Sequence, residues 1–231
     1  MDRLRTTQLV IFDCDGVLVD SEVLASGVQS EVLRSYGLDL GSEEITARFV
    51  GVSAADMRVQ LETLLGRPLP ADHEAHCAAM LSRRFRERLR PIAGIERVID
   101  AVVADGYVPC VASGSSPERI ALALRVTGLD VRFGTSIFSA TMVAHGKPAP
   151  DLFLYAATEM GFAPGDCIVV EDSVHGVRAA RAAGMRVIGF SAGSHCGPDY
   201  EERLRAAGAP IVARDAVQLM DRLRRETEAR R

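Results

Sequence analysis

Five short stretches of the chain are apolar almost without interruption: residues 9–12, 108–112, 168–170, 186–190 and 211–212. Continuous runs, unlike alternating ones, mark strands buried on both faces, as in a parallel sheet. Helical patterns lie between them. Residues 96–104 precede the second run. Ser116-Pro117-Glu118 supplies a cap, a proline at the first helical position and an acid in the first turn, and that helix runs to Thr127 and stops at Gly128. Another opens at Pro150-Asp151 and closes near Gly161, and a third opens at Ser173 and closes at Gly184, a helix-ending glycine. Strands alternating with helices predict an α/β fold with a Rossmann-like parallel sheet and right-handed crossovers.

Residues 19–90 have a different texture. Val23, Leu24, Val28, Val32 and Leu33 recur at helical spacing, as do Ile45, Phe49, Met57, Leu61, Leu64 and Leu65, and then Cys77, Met80, Leu81 and Phe85. Nothing there reads as a buried strand. The pattern predicts an all-helical domain, 19–90, inserted after the first strand of a core made of 1–18 and 91–231. Two chain crossings, near 18–21 and 89–91, would join the parts, an arrangement that suits a hinged cap. There are no repeats of 20–50 residues, and the charged tail 221–231 reads as a fraying helix end.

Composition narrows the partners. At 231 residues the chain has room for one or two domains, and 48% apolar with 25% charged residues is an ordinary globular balance. A net charge of −4 gives no electrostatic case for nucleic acid or an anionic membrane. Arg83, Arg84, Arg86, Arg88 and Arg90 are interleaved with Glu87 and Leu89 and read as a solvated helix face. No stretch reaches the roughly 18 apolar residues of a membrane helix, and residues 1–8 do not read as a secretory signal. The scattered cysteines Cys14, Cys77, Cys110, Cys167 and Cys196 favour reduced thiols in a cytoplasm, with Cys14, Cys110 and Cys167 as small core residues. His195-Cys196 lacks a second pair and is not read as a metal site.

The chemistry sits where the strands end. In open parallel sheets ligands bind beyond the carboxyl ends of the strands. Asp13 and Asp15 follow the first run, Ser113-Gly114-Ser115-Ser116 the second, and Glu171 and Asp172 the third, with Gly146-Lys147-Pro148 between. Taken singly, these are ordinary caps, turns and a surface lysine. Taken together, they gather carboxylates that repel one another, so a divalent cation is expected, and all-oxygen ligands suit Mg²⁺. A lysine and a hydroxyl-rich turn at a helix N-terminus suit phosphate oxygens. A carboxylate can attack phosphorus to give an aspartyl phosphate, after which positioning and charge neutralisation do the rest.

Residues 12–22, Phe-Asp-Cys-Asp-Gly-Val-Leu-Val-Asp-Ser-Glu, resemble the first motif of the haloacid dehalogenase (HAD) superfamily. Residues 112–115 resemble its second motif, 146–151 its third, and 170–173 with Gly176 its fourth. The resemblance spans nearly the whole chain and extends to the inserted helical cap. It is similar in this to the subgroup holding β-phosphoglucomutase and small sugar-phosphate phosphatases. It implies Asp13 as nucleophile and Mg²⁺ ligand. Asp15 is implied as acid/base, with its backbone carbonyl on the metal. Ser113, Gly114 and Lys147 are implied on the phosphoryl oxygens, and Asp172 with Glu171 completing the metal site. True dehalogenases of the family lack the second aspartate, so Asp15 argues for phosphate substrates.

The cap loop separates two activities. The corresponding mutase loop resembles Gly-Val-Ser-Arg, and here the arginine position is Ala54, while Ala25 stands near the place of a mutase histidine. The expectation is therefore a Mg²⁺-dependent phosphatase of a small phosphorylated sugar or sugar acid, 6-phosphogluconate being the substrate guessed. Arg48 and Ser53 are candidate substrate contacts, and a monomer or weak dimer is expected. The alternatives are a sugar phosphomutase and a non-catalytic binding protein; the second has no need of Asp13, Asp15, Lys147 and Asp172 together.

Overall fold

The computed structural model describes residues 8–50, 52 and 54–228. The first strand, β1 (Leu9–Phe12), leads into four helices: α1 (Glu22–Ser35), α2 (Ser42–Phe49), α3 (Ala54–Leu65) and α4 (His73–Arg88). Strands and helices then alternate: α5 (Ile95–Ala104), β2 (Val108–Ser113), α6 (Pro117–Thr127), α7 (Asp130–Phe133), β3 (Ile137–Ser139), α8 (Asp151–Glu159), β4 (Cys167–Glu171), α9 (Val174–Ala182), β5 (Arg186–Phe190), α10 (Tyr200–Ala206), β6 (Ile211–Ala213) and α11 (Ala216–Glu228). The six strands form one parallel sheet in the order β3-β2-β1-β4-β5-β6. Among the described residues the edge strand β3 is the one strand the apolar runs did not predict; its three residues contain only two apolar side chains, too few to stand out as a run.

β1 shows why the runs are continuous. Val10 and Phe12 point to one face, where they pack with Ile99, Leu124 and Leu219 from α5, α6 and α11. Leu9 and Ile11 point to the other, against Leu152, Val177 and Leu204 from α8, α9 and α10. All four β1 side chains are fully buried, each worth about 1.5–3 kcal/mol of transfer free energy. Ser116 caps α6 and Ser173 caps α9, each accepting a backbone N–H, as their positions before Pro117 and Val174 led one to expect.

Between β1 and β2 every element among the described residues is a helix. Leu33, Leu40, Ile45, Phe49, Leu61 and Leu69 make a small core of their own there. Leu81 and Phe85 of α4 belong instead to the large cluster that includes Ile120 and Leu124 of α6. The two crossings run side by side: Asp20 N donates to Arg90 O at 3.0 Å and Ile92 N to Leu18 O at 3.0 Å. Arg83, Arg86, Arg88 and Arg90 are exposed, and Arg84 pairs with Glu31 at 2.8 Å. All five cysteines are free thiols, three of them buried. Among the described residues no helix is long and apolar enough to cross a membrane.

Candidate active site

Parallel strands that lie side by side deliver their last residues to one edge. β2, β1 and β4 are neighbours, with Phe12 opposite both Val111 and Val170. Ser113, Asp13 and Glu171 therefore stand in a row at the carboxyl edge, and Asp13 is fixed there by its N–H donating to Val170 O at 3.0 Å. Lys147 arrives from the segment between β3 and α8. Its Nζ donates to Asp13 Oδ1 and to Glu171 Oε1, both at 2.6 Å, and to Ala112 O at 3.2 Å, while lying 4.8 Å over the Phe153 ring. One ammonium thus joins all three central strand ends.

Asp15 faces a different set. Ser21 Oγ and Arg119 Nη2 donate to its Oδ1 at 2.6 and 2.9 Å, and Ser115 Oγ donates to Oδ2 at 2.6 Å. Ser113 Oγ accepts from Ser115 N at 3.1 Å, and Ser139 Oγ donates to Ser115 O at 2.7 Å, so the turn after β2 is braced from β3. Glu171 Oε2 accepts from both N and Oγ of Ser173, at 2.7 and 3.0 Å.

These environments push the two aspartates apart. Burial raises the Asp13 carboxyl well above its ordinary range; Lys147 opposes this, and Glu171 and Asp172 add to it. Burial also works to raise Asp15, but Arg119 and the hydrogen bonds from Ser115 and Ser21 outweigh it and leave that carboxyl below its usual value. Asp172 is raised by burial and by Glu171. Glu22 is raised to about 7 by burial and by the charge of Asp15. Burial lowers the Lys147 ammonium, yet Asp13 and Glu171 win and hold it charged.

The charge count tests whether a cation fits. Asp13, Glu171 and Asp172 are all nearly buried, and Lys147 pairs with only the first two. Asp172 has no lysine or arginine partner among the described residues; its Oδ2 lies 3.0 Å from a ring nitrogen of His195. An excess of buried carboxylate oxygen is what a hard divalent cation neutralises. Among the described residues no three acidic, His or Cys side chains close on one point as a finished cage, because Lys147 spans Asp13 and Glu171 while Asp15 turns to Arg119. The donor set fits Mg²⁺ in kind and charge.

A cleft of about 630 Å³ opens over the row, within the range of small-molecule sites. Asp13, Asp15, Ser113, Gly114, Lys147, Glu171 and Asp172 line its floor, and Gln29, Phe49 and His73 line the helical side. Arg48 is not among the lining residues; it is exposed on α2 and pairs with Glu44 at 2.7 Å. Ser53 lies outside the described residues. Arg119, Ser115 and Ser21 were not assigned from the sequence as partners of Asp15. Arg119 is only three residues beyond the Ser116 cap, and that first-turn position was the available signal.

A model of haloacid dehalogenase-like hydrolases matches residues 7–184. The 6-phosphogluconate phosphatase of Escherichia coli (strain K12) is 31% identical over 192 residues, covering 83% of this chain and 86% of that protein. The fructose-1-phosphate phosphatase of the same organism is 34% identical over 185 residues, covering 78% and 94%. A solved haloacid dehalogenase-like protein of unknown function from Agrobacterium tumefaciens str. C58 superposes with a TM-score of 0.83 at 37% identity, covering 95% of this chain and 99% of that one.

Proposed function

The chain belongs to the haloacid dehalogenase-like hydrolase family, and from that membership we propose that it hydrolyses a small phosphorylated sugar or sugar acid, with Asp13 as nucleophile and Asp15 as acid/base. The observation that carries the reading is the meeting of Asp13, Ser113, Lys147 and Glu171 at three adjacent strand ends, with Asp15 beside them under separate control.

An Asp13 oxygen attacks phosphorus as the bond to the substrate's alcohol oxygen breaks. Asp15, a carboxylate in the resting site, relays to that leaving oxygen a proton that the substrate brings in on its phosphate monoanion. The carboxylate then takes a proton from the water that attacks the aspartyl phosphate and passes it to the departing inorganic phosphate, so both side chains return to their starting forms. Lys147, Ser113 and the backbone at Gly114 hold the transferring oxygens, and Lys147 neutralises charge that grows there. Asp13, the Asp15 carbonyl, Glu171 and Asp172 would hold Mg²⁺, which when bound supplies positive charge to the phosphoryl group. The helices of 19–90 act as a cap over the cleft, hinged at the paired crossings 18–21 and 89–91.

Ala54 begins α3 without the cation that would grip a second phosphate, so net hydrolysis is favoured over mutase turnover. Phosphate release from p-nitrophenyl phosphate with Mg²⁺ tests the assignment. Asp13→Asn is expected to lose at least ~10³-fold in kcat; equal release by wild type and variant would remove Asp13 from the role. A panel of phosphorylated sugars and sugar acids, compared by kcat/KM, selects the substrate.

A further inference from the structure

The segment between β5 and α10 holds His195 and Cys196, the pair that the sequence left without a task. Ser194 ties this segment to the loop after β1: its N and Oγ both donate to Asp20 Oδ1, at 3.0 and 2.8 Å. That anchorage carries His195 inward. Its side chain is 0% exposed, and Nε2 stands 3.0 Å from Asp172 Oδ2, on a carboxylate itself only 3% exposed. Tyr200 closes the far side, with its Oη 3.1 Å from the same nitrogen and its ring edge-on at 5.1 Å.

Two glycines make room for this arrangement. A Cβ at Gly16 would lie 1.9 Å from Asp172 Oδ2 and 3.0 Å from His195 Cε1. A Cβ at Gly193 would lie 2.6 Å from both Cε1 and Nδ1 of His195. Gly16 also has φ +82, a conformation other residues adopt at a cost. The imidazole and the carboxylate are therefore packed together against the backbone of the loop that carries Asp13 and Asp15.

The approach is close but not aligned as a hydrogen bond: Asp172 Oδ2 and His195 Nδ1 are both buried without partners. Electrostatics selects the tautomer. With the proton on Nε2, an N–H dipole faces the carboxylate and the phenol oxygen, and Nδ1 is left as a bare acceptor. The other tautomer buries an unpaired N–H and turns a lone pair towards a carboxylate, which is repulsive.

The geometry points to His195, backed by Tyr200, as a positioning residue for Asp172. It fixes one carboxylate oxygen against Gly16 and presents the other to the cleft, and so sets the affinity for a divalent cation without touching the phosphate. This rests on the reading of Asp172 as a metal ligand.

Metal binding to the full chain tests it directly, by calorimetry with Mg²⁺ and by electron paramagnetic resonance with Mn²⁺. His195→Ala is expected to weaken binding by about 10- to 100-fold, the range for groups that orient metal ligands, while KM for p-nitrophenyl phosphate at saturating Mg²⁺ stays within about twofold. His195→Gln, whose amide can present an N–H, is expected to recover part of the loss, and Tyr200→Phe to lose less than His195→Ala. If Asp172→Asn loses the metal while His195→Ala and His195→Gln bind it like wild type, the inference is wrong and the ligand assignment stands. If Asp172→Asn binds metal like wild type, the ligand assignment fails and takes this inference with it. Should His195→Ala not fold, His195→Gln and Tyr200→Phe decide, and wild-type affinity in both overturns the proposal.

Discussion

Glu171 is gripped from every side. Lys147 holds Oε1, Ser173 holds Oε2, and Gly176 lies beneath the carboxyl group. A Cβ at Gly176 would come within 1.8 Å of Oε1, and the side chain, 1% exposed, has nowhere to go without abandoning the lysine. Gly176→Ala is therefore expected to destabilise by about 1–3 kcal/mol through overpacking and to depress turnover as Lys147 loses a partner. Urea unfolding and p-nitrophenyl phosphate hydrolysis on the same variant check both effects. Arg119 makes a second test possible. Among the described residues its Nη2 is the one full positive charge paired with Asp15, since Ser21 and Ser115 are neutral donors. Arg119→Gln should cost about 1–3 kcal/mol, because the carboxylate it leaves is nearly buried. In the Asp15→Asn background the same change should cost less, and strict additivity in that double-mutant cycle would argue against a direct pairing.

α4 packs against both α1 and α6. Phe85 is 1% exposed and packs with Leu81 into the cluster that reaches Ile120 and Leu124 of α6. The Arg119 guanidinium lies 5.7 Å from the centre of its ring. One aromatic side chain thus supports both the contact between α4 and α6 and the cation that faces Asp15. Phe85→Ala is expected to lose about 3–5 kcal/mol, the range for truncating a buried phenylalanine. Thermal unfolding followed by circular dichroism measures it, and a loss below about 1 kcal/mol would mean that the site collapses to fill the space. α1, by contrast, meets α4 partly through polar groups: Gln29 Nε2 lies 3.0 Å from His73 Nε2, and Cys77 Sγ donates to Gln29 Oε1 at 3.3 Å.

For the molecule as a whole, the concentration of acidic groups at one sheet edge is a cost of the folded state that a bound divalent cation would offset. Asp13 and Glu171 share Lys147, Asp172 follows Glu171 in the chain, and burial drives Asp13 and Asp172 upward. A ligand that binds only the folded chain stabilises it by mass action, about 2.7 kcal/mol at a hundredfold excess over Kd. Mg²⁺ should accordingly raise Tm, chelation should abolish phosphate release, and Asp172→Asn should remove most of the Tm shift. Differential scanning calorimetry with and without the metal reads this; a Tm indifferent to Mg²⁺ in the wild type would contradict the charge argument.

Strand runs, caps and the order of polar residues after each strand are local properties, and the chain displays them openly. Residues 9–12 are apolar throughout because both faces of β1 are covered, and Ser116-Pro117 starts a helix because a cap and a fixed φ act within one turn. The parallel topology followed, and with it the placing of Asp13, Ser113, Lys147, Glu171 and Asp172 at one edge. β3 was hidden because three residues carry too little pattern. The partners of Asp15 and Asp172 were hidden for another reason. Arg119 and His195 are 104 and 23 residues away from the carboxylates they meet, and a distant contact leaves no mark in local periodicity. Arg48 pairs with Glu44 one turn away, a partner its sequence neighbours offer at helical spacing. Residue type and order can announce which groups a site contains; only the packing of helices and loops against the sheet selects which cation faces which carboxylate.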